Sequence, residues 1–199
     1  MDKERNKIIL IGGGGHCNSV IDVIEQENKY TILGIIDANI EKGKSILGYP
    51  VLGNDDVIAS LIGDNNYFII TVGHIMSPKI RVSIAERLDI LNANLATVVS
   101  SRAYVSKHAI VGAGTVIMHD VIINANANVG DHCIINTKAN IEHDAVTGDF
   151  CHVSTGAILN GGVKIGNQIF VGSNACLMQG ISISDRRIIR AGEFVKESK

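Results

Sequence analysis

A six-residue ladder constrains this chain more than any other feature. Stepping by six from Val105, the positions read Val111, Ile117, Ile123, Val129, Ile135, Ile141, Thr147, Val153, Leu159, Ile165, Val171, Leu177, Ile183, Ile189 and Val195. Thr147 alone interrupts the aliphatic series. Four residues after these positions stand mostly small residues, among them Ala109, Thr115, Ala127, Cys133, Ala139, Ala145, Cys151, Ala157 and Ala175. A period of six is the signature of a β-solenoid, in which each hexad supplies one short strand and one turn. The aliphatic side chain points inward, the small residue keeps the coil narrow, and stacked coils share one core. Gly112, Asn124, Gly130, Asn136, Gly148, Asn160, Gly166 and Gly172 follow aliphatic positions directly, and are expected to take the unusual dihedrals of the turns.

Composition fits that reading. Hydrophobic residues make up 46% of the 199, yet aromatics only 4%, and Trp is absent. So few rings leave no stacking platform for single-stranded nucleic acid. A net charge of −2 gives no electrostatic footprint for DNA or an anionic membrane. No apolar run is long enough to span a bilayer. The opening Met1-Asp-Lys-Glu-Arg lacks the apolar stretch and small-residue cleavage site of a secretory leader. Cys17, Cys133, Cys151 and Cys176 form no C-x-x-C pair and read as reduced, buried thiols. The expected location is the cytoplasm.

The first hundred residues follow a different pattern. Apolar runs at residues 7–11, 31–36 and 67–72 predict strands. Helices are predicted from about Asn18, where Val20, Ile21, Val23 and Ile24 share a face, and over residues 55–62 and 78–88. Gly48-Tyr49-Pro50 marks a turn. The fold class expected is an α/β Rossmann-like domain with a small parallel sheet over residues 1–100. An all-β domain of hexapeptide repeats follows over residues 101–199.

The run Gly12-Gly13-Gly14-Gly15-His16 ends the first strand. It breaks the G-x-G-x-x-G dinucleotide fingerprint, because Cys17 or Asn18 falls where the third glycine belongs. What survives is a glycine loop feeding a helix N-terminus, which attracts phosphate. Gly12–His16, Asp37 and Gly73–His74 all fall at strand ends and should converge on one crevice. The competing reading is an ordinary tight turn with a solvated Asp37.

The hexads, this loop and the stretch Ile141-Glu-His-Asp-Ala-Val-Thr-Gly-Asp-Phe150 together carry a resemblance over essentially the whole chain. The sequence resembles the left-handed β-helix acyltransferases. Within them it is similar to the bacterial nucleotide-sugar N-acetyltransferases and sialic-acid O-acetyltransferases of surface-glycan synthesis. The resemblance implies a left-handed parallel β-helix with three hexads per coil, acetyl-CoA as co-substrate, no metal, and a homotrimer with active sites at subunit interfaces. On spacing alone His143 is one of seven histidines and reads as a polar residue on an outer face. The resemblance makes it the general base, Asp144 its polarising neighbour and Gly161 the backbone oxyanion donor one coil away. It puts Gly14, Gly15, His16, Asp37 and Gly73 on the nucleotide of the acceptor and Asn136 near the acceptor group. His152 and Gly161 meet the acetyl end of acetyl-CoA, with Ser173 and Ala191 along the CoA arm.

The implied activity is direct N-acetylation of a UDP-linked 4-amino-4,6-dideoxy sugar, with no acyl-enzyme. A sialic-acid O-acetyltransferase and a non-catalytic nucleotide-sugar sensor stand as alternatives. A zinc site built from His108, His119, His132, His143 and His152 is the minor reading, since no spacing pairs them. Several positions depart from the family pattern: Gly14 replaces a hydroxyl side chain, Ala38 a second carboxylate and Arg190 a glycine. The Gly-x-Pro segment that covers the CoA adenine in many relatives has no counterpart before Lys199. Which sugar and which nucleotide are used therefore stays open. Arg187, at a normally small position, reads as part of a polar cap on the last coil, and Lys196 to Lys199 as a solvated end.

Overall fold

The computed structural model describes residues 5–198. Met1 to Glu4, part of the stretch read for a leader, and Lys199 of the expected solvated end lie outside the described residues. The chain opens with β1 (Lys7–Ile11), α1 (Gly15–Glu27), β2 (Thr31–Ile36), β3 (Ser45–Ile46) and β4 (Tyr49–Gly53). A 3₁₀ helix (Asp55–Leu61), β5 (Asn66–Ile70), α2 (Lys79–Ile90) and β6 (Asn94–Leu95) follow. The sheet order is β3-β4-β2-β1-β5-β6. Central β1 is flanked on both sides, and Ile8 to Ile11 are buried. On one face α1 packs Val20, Ile21 and Ile24; on the other α2 packs Ile84 and Leu88.

The structure departs from the expected elements in ways with local causes. The sheet is not wholly parallel: β3 and β4 form an antiparallel hairpin, with Leu47 at φ 46° and Gly48 at φ 88° in its two-residue loop. Two positive φ values are what such a loop requires, and Gly48 supplies one without strain. Tyr49 and Pro50 therefore belong to a strand rather than the turn. Helix α1 begins at Gly15, earlier than Asn18, so His16 and Cys17 sit in its first turn. The segment after Asn54 is a 3₁₀ helix, whose start is capped by the Asn54 side chain accepting from the Asp56 N–H. Strand β5 ends at Ile70, leaving Thr71 and Val72 to enter the crevice loop.

From Val98–Val99 onward, two-residue strands recur every six residues up to Phe194–Val195. They stack into three parallel sheets, which form the faces of a left-handed β-helix. The first face contains Val116–Ile117, Ile134–Ile135, His152–Val153, Phe170–Val171 and Ile188–Ile189. The second contains Tyr104–Val105, Ile122–Ile123, Asn140–Ile141, Ile158–Leu159, Cys176–Leu177 and Phe194–Val195. The third contains Ile110–Val111, Asn128–Val129, Val146–Thr147, Lys164–Ile165 and Ser182–Ile183. Val116 pairs with Ile134 and Asn140 with Ile158, a register of eighteen residues per coil.

The second residue of each strand is the ladder position. Ile117, Ile135, Ile141, Val153, Leu159 and Val171 are completely buried. Thr147, the break in the ladder, is buried too, and its hydroxyl accepts from the Gly130 N–H at 3.3 Å. Cys133 and Cys151 occupy small inward positions as free thiols and donate to the carbonyls of Gly148 and Gly166.

The residues directly after the ladder do not take the unusual dihedrals. Positive φ falls two positions later, at Gly114, Asp120, Asn126, His132, Asp144, Gly156 and Gly162 among others. Gly112, Gly130, Gly148, Gly166 and Gly172 are needed for a different reason. A Cβ on Gly112 would stand 2.5 Å from the Gly130 carbonyl carbon, and one on Gly172 2.5 Å from the Ala191 nitrogen. Asn136 serves the same corner as Gly172, and Asn124 the corner between the second and third faces, through side chains that accept from the next backbone N–H, each at 2.8 Å. Arg187, in the last coil, is exposed and donates to Ser184 Oγ.

Candidate active site

His143 occupies the corner between the second and third faces. Its Nδ1 lies 2.8 Å from Asp144 Oδ2, and more than half of each side chain is exposed. Asp144 takes φ 61°, the strained left-handed conformation that closes the corner. Its other oxygen accepts from Asn126 Nδ2 one coil below, at 2.6 Å. The Asn126 bond foremost, and then His143, hold the Asp144 carboxyl below its usual range. Neighbouring Glu142 is held by Asn124 and Asn140 instead. One coil above stands Gly161. A Cβ there would lie 2.6 Å from both Cε1 and Nε2 of His143, so only glycine leaves the ring in place. The Gly162 N–H donates to the His143 carbonyl, whereas the Gly161 N–H has no acceptor among the described residues. An exposed imidazole and, on buried Gly161 beside it, an unclaimed backbone donor thus share one corner.

The strand ends of β1, β2 and β5 meet in a cleft of about 410 Å³. Gly14, Gly15, His16, Asp37 and Gly73 all line it. Gly14 caps α1 without a side-chain hydrogen bond, and added Cβ atoms on Gly14 or Gly15 would meet nothing within 4 Å. The helix start therefore faces the cleft through bare backbone, the arrangement that suits an anion. Asp37 is not a loose strand end. It accepts from the Gly13 N–H at 2.6 Å and from the Asn39 N–H at 2.8 Å, so its carboxylate shapes the glycine loop. The Nε2 of His16 is buried with no hydrogen-bond partner among the described residues. Burial, reinforced by nearby Arg81, pushes the His16 pKa down to about 3.

Between this cleft and the β-helix lies a cluster that sequence reading did not assemble. His152 Nδ1 sits 2.6 Å from the His74 carbonyl oxygen, and its Nε2 sits 3.3 Å from Asn136 Nδ2. The His74 ring lies edge-on to His152 at 5.5 Å, and burial pushes its pKa to about 3. Arg81, fully buried on α2, donates to the carbonyls of Ile70 and Val72 in the sheet domain. It also donates to His132 and Gly114 in the β-helix. Its guanidinium forms no ion pair with a carboxylate among the described residues, and burial lowers its pKa to about 10. Arg81 was missed because it sits in the helical pattern as one more charged residue. Its one sequence signal is that it falls three residues before Ile84 on the face that α2 buries.

Ser173 and Ala191 lie at the corner between the first and second faces, the same corner as Asn136. Ser173 Oγ is 3.0 Å from Ser154 Oγ. Within one chain, then, two groups of site residues stand apart. His143, Asp144 and Gly161 share one corner; Asn136, His152, Ser173, Ala191 and the cleft share another region. Two further histidines are engaged elsewhere: His119 bridges Ser100 Oγ and Asp22, and His132 stacks on Phe150 at 4.9 Å. Among the described residues no group of three or more His, Cys, Asp or Glu is placed to hold a metal ion.

Comparison with known proteins matches residues 7–88 to the PglD N-terminal domain. A curated relative, UDP-N-acetylbacillosamine N-acetyltransferase of Bacillus subtilis strain 168, is 34% identical over 114 residues. That match covers 56% of this chain and spans about half the length of the relative (50%). Among solved structures, PerB from Caulobacter crescentus in complex with CoA and GDP-perosamine superposes with a TM-score of 0.88. It is 29% identical, over 96% of this chain and 90% of that one. The acetyltransferase domain of PglB from Neisseria gonorrhoeae FA1090, bound to acetyl coenzyme A, gives a TM-score of 0.89 at 28% identity. That likeness covers 98% of this chain and 92% of the other.

Proposed function

We propose that this chain, a member of the hexapeptide-repeat nucleotide-sugar N-acetyltransferase family, transfers acetyl from acetyl-CoA to the amine of a nucleotide-linked amino sugar. The observation that carries the reading is the corner where His143, bonded to Asp144, lies against Gly161. His143 Nε2 takes a proton from the sugar amine as its nitrogen attacks the thioester carbon. Asp144 steadies the imidazolium through Nδ1, and the Gly161 N–H donates to the carbonyl oxygen as it becomes an oxyanion. Collapse of the tetrahedral intermediate breaks the C–S bond. The departing thiolate takes the proton from His143, leaving CoA thiol and an N-acetyl sugar.

In this reading residues 1–100 hold the nucleotide. The α1 N-terminus faces its phosphates through Gly14, Gly15 and His16, with Asp37 and Gly73 at the rim. Residues 101–199 carry the chemistry, with His152, Ser173 and Ala191 flanking the CoA arm and Asn136 near the acceptor. The sugar is of the 4-amino-4,6-dideoxy class.

Completing the site calls for further copies of the chain, and a homotrimer is the assembly we propose. The second face presents Tyr104 and Ile122 on its first two coils and Phe194 on its last, at 61%, 42% and 54% exposure, with half-buried Asn140, Ile158 and Cys176 between them. Burying that face around a threefold axis brings the corner with Asn136, Ser173 and Ala191 against the neighbour's corner with His143. No helix is long and apolar enough to cross a membrane among the described residues. Free thiols and an acetyl-CoA substrate favour work in the cytoplasm.

The test is thiol release from acetyl-CoA with UDP- and GDP-linked 4-amino sugars, CMP-sialic acid and free sialic acid. Release with a 4-amino sugar alone supports the reading. Release with sialic acid alone replaces it with O-acetylation. Nucleotide-sugar binding with no release from any acceptor replaces it with a sensor.

A further inference from the structure

A second cavity, of about 480 Å³, opens on the far side of the loop that follows β5. Gln168 and Arg186 line it, at the corner between the third and first faces of the β-helix. Asn136, Ser173 and Ala191 stand at the other corner of the first face, and no residue proposed above to meet a substrate lines this cavity. Its opposite wall is the loop over residues 74–78 and the first two turns of α2, as far as Glu86.

The lining favours one kind of ligand. Ile75, Met76 and Ile188 are 59%, 78% and 45% exposed, and with Val82 they give the cavity apolar walls. Large side chains left this open gain from a partner that covers them. Lys79 and Arg186 add two cations against the single carboxylate of Glu86. Neither cation forms an ion pair among the described residues, and Asp185, beside Arg186, accepts from the Asn167 backbone instead. Arg186 Nε donates to Gln168 Oε1 at 3.3 Å, which leaves both terminal nitrogens of the guanidinium unclaimed. The first turn of α2 contains no acidic residue, and Pro78 offers it no side-chain cap. Such a helix start favours an anion.

His74 marks the floor. It is 7% exposed, neither ring nitrogen makes a full hydrogen bond among the described residues, and the Phe150 backbone gives only a weak polar contact. Buried polar atoms are nearly always paired, so an unpaired ring at the base of a cavity is an independent sign of a ligand.

We infer that this cavity is a second ligand site, for a small anion carried on an apolar body. The anionic group, a phosphate or carboxylate, lies between Lys79, Arg186 and the start of α2. The body covers Ile75, Met76, Val82 and Ile188 above the His74 ring. An inorganic anion lacks the body and a neutral aromatic lacks the charge, so neither satisfies both halves. The same loop carries Gly73 into the nucleotide cleft and holds His152 through the His74 carbonyl, so the site shares a wall with both regions. The inference does not depend on the acetyl-transfer reading.

The probe is 1-naphthyl phosphate, added to the full chain labelled with ¹³C-methyl methionine. Of the four methionines, Met76 lines this cavity, Met118 is buried and Met178 is exposed elsewhere. The Met76 methyl signal, assigned with Met76→Leu, should shift saturably while those of Met118 and Met178 stay in place. Lys79→Glu and Arg186→Glu, both at exposed positions, should each weaken binding about tenfold or more, the scale of a lost charge-assisted hydrogen bond. Val82→Trp, which fills the cavity, should abolish it; if that variant fails to fold, the two charge reversals decide alone. 1-Naphthol and inorganic phosphate should each bind at least about tenfold more weakly than the probe. Equal binding of either one, affinity unmoved by both charge reversals, a shift at Met178 in place of Met76, or no saturable shift at Met76 overturns the inference.

Discussion

His143 lies directly against the backbone of Gly161, one coil above: a Cβ on Gly161 would stand 2.6 Å from the imidazole Nε2. Ring and glycine therefore constrain each other. The atom in the way is the tip of an exposed side chain, which can swing aside at little cost in stability. Gly161→Ala should keep its unfolding midpoint within a few degrees while kcat falls roughly a hundredfold, the scale of a displaced general base. Steady-state kinetics beside a thermal melt checks both halves of that expectation.

Gly172 offers the contrasting case. Its added Cβ would meet the Ala191 backbone nitrogen at 2.5 Å, and backbone stacked in a coil cannot swing aside. Gly172→Ala should lose about 1–3 kcal/mol of stability by urea unfolding, as overpacked sites do. The same substitution in two corners thus separates chemistry from packing. A Gly161→Ala protein as destabilised as Gly172→Ala would contradict the distinction.

Removing the proposed base gives a sharper number. His143→Ala should fold, bind CoA with unchanged affinity by calorimetry, and lose about 10²- to 10⁴-fold in turnover. Turnover close to wild type would remove His143 from the mechanism.

The buried histidines predict acid sensitivity. His16 and His74 have folded pKa values pushed to about 3 by burial, against 6.5 in the unfolded chain. Between these values the unfolded state binds protons that the folded state cannot. Stability is therefore undiminished above pH 6.5 and falls as the pH drops from there toward 3. Between pH 7 and 5 the loss should be on the order of 2 kcal/mol per histidine at most. Urea midpoints measured across that range should fall, and His74→Gln should flatten the slope. A midpoint independent of pH in the wild type would show that neither ring is held neutral.

Arg81 is expected to matter through its carbonyl partners. Arg81→Met leaves the carbonyls of Ile70, Val72, His132 and Gly114 without this donor, and should cost roughly 3 kcal/mol or more. Arg81→Lys keeps the charge but cannot reach both domains with a single ammonium, so it should recover only part of the loss. Full recovery by lysine would mean that charge, not the guanidinium fork, is what matters.

The β-helix was legible because its period is enforced at every coil. The inward positions Ile117, Ile135 and Ile141 could be read off the chain, since any polar side chain there needs a partner such as the one Thr147 finds. The corners were less legible. Positive φ at Asp120, Asn126, His132 and Asp144 falls on residue types that tolerate it, but two positions beyond the glycines that drew attention, which serve contact between coils instead. The three strand ends of the cleft could be placed by counting, but not the engagement of Asp37 with the Gly13 N–H, which depends on the shape of the loop. The His74–His152–Asn136 chain was invisible for the same reason. It joins residues far apart in sequence, one of them through a backbone carbonyl that has no sequence signature.

The apolar interior of the coils runs without a break into the residues beneath α1, so that Val20, Ile21 and Ile24 belong to the same core as Val116, Ile135 and Val153. Such continuity sets the scale of cooperativity. The sheet layer cannot melt on its own without baring the lower coils, and the lower coils cannot open without loosening the cleft. The cleft-bearing sheet domain and the coils beneath it are thus one folding unit, and their relative placement is inherited from the shared core rather than from a linker.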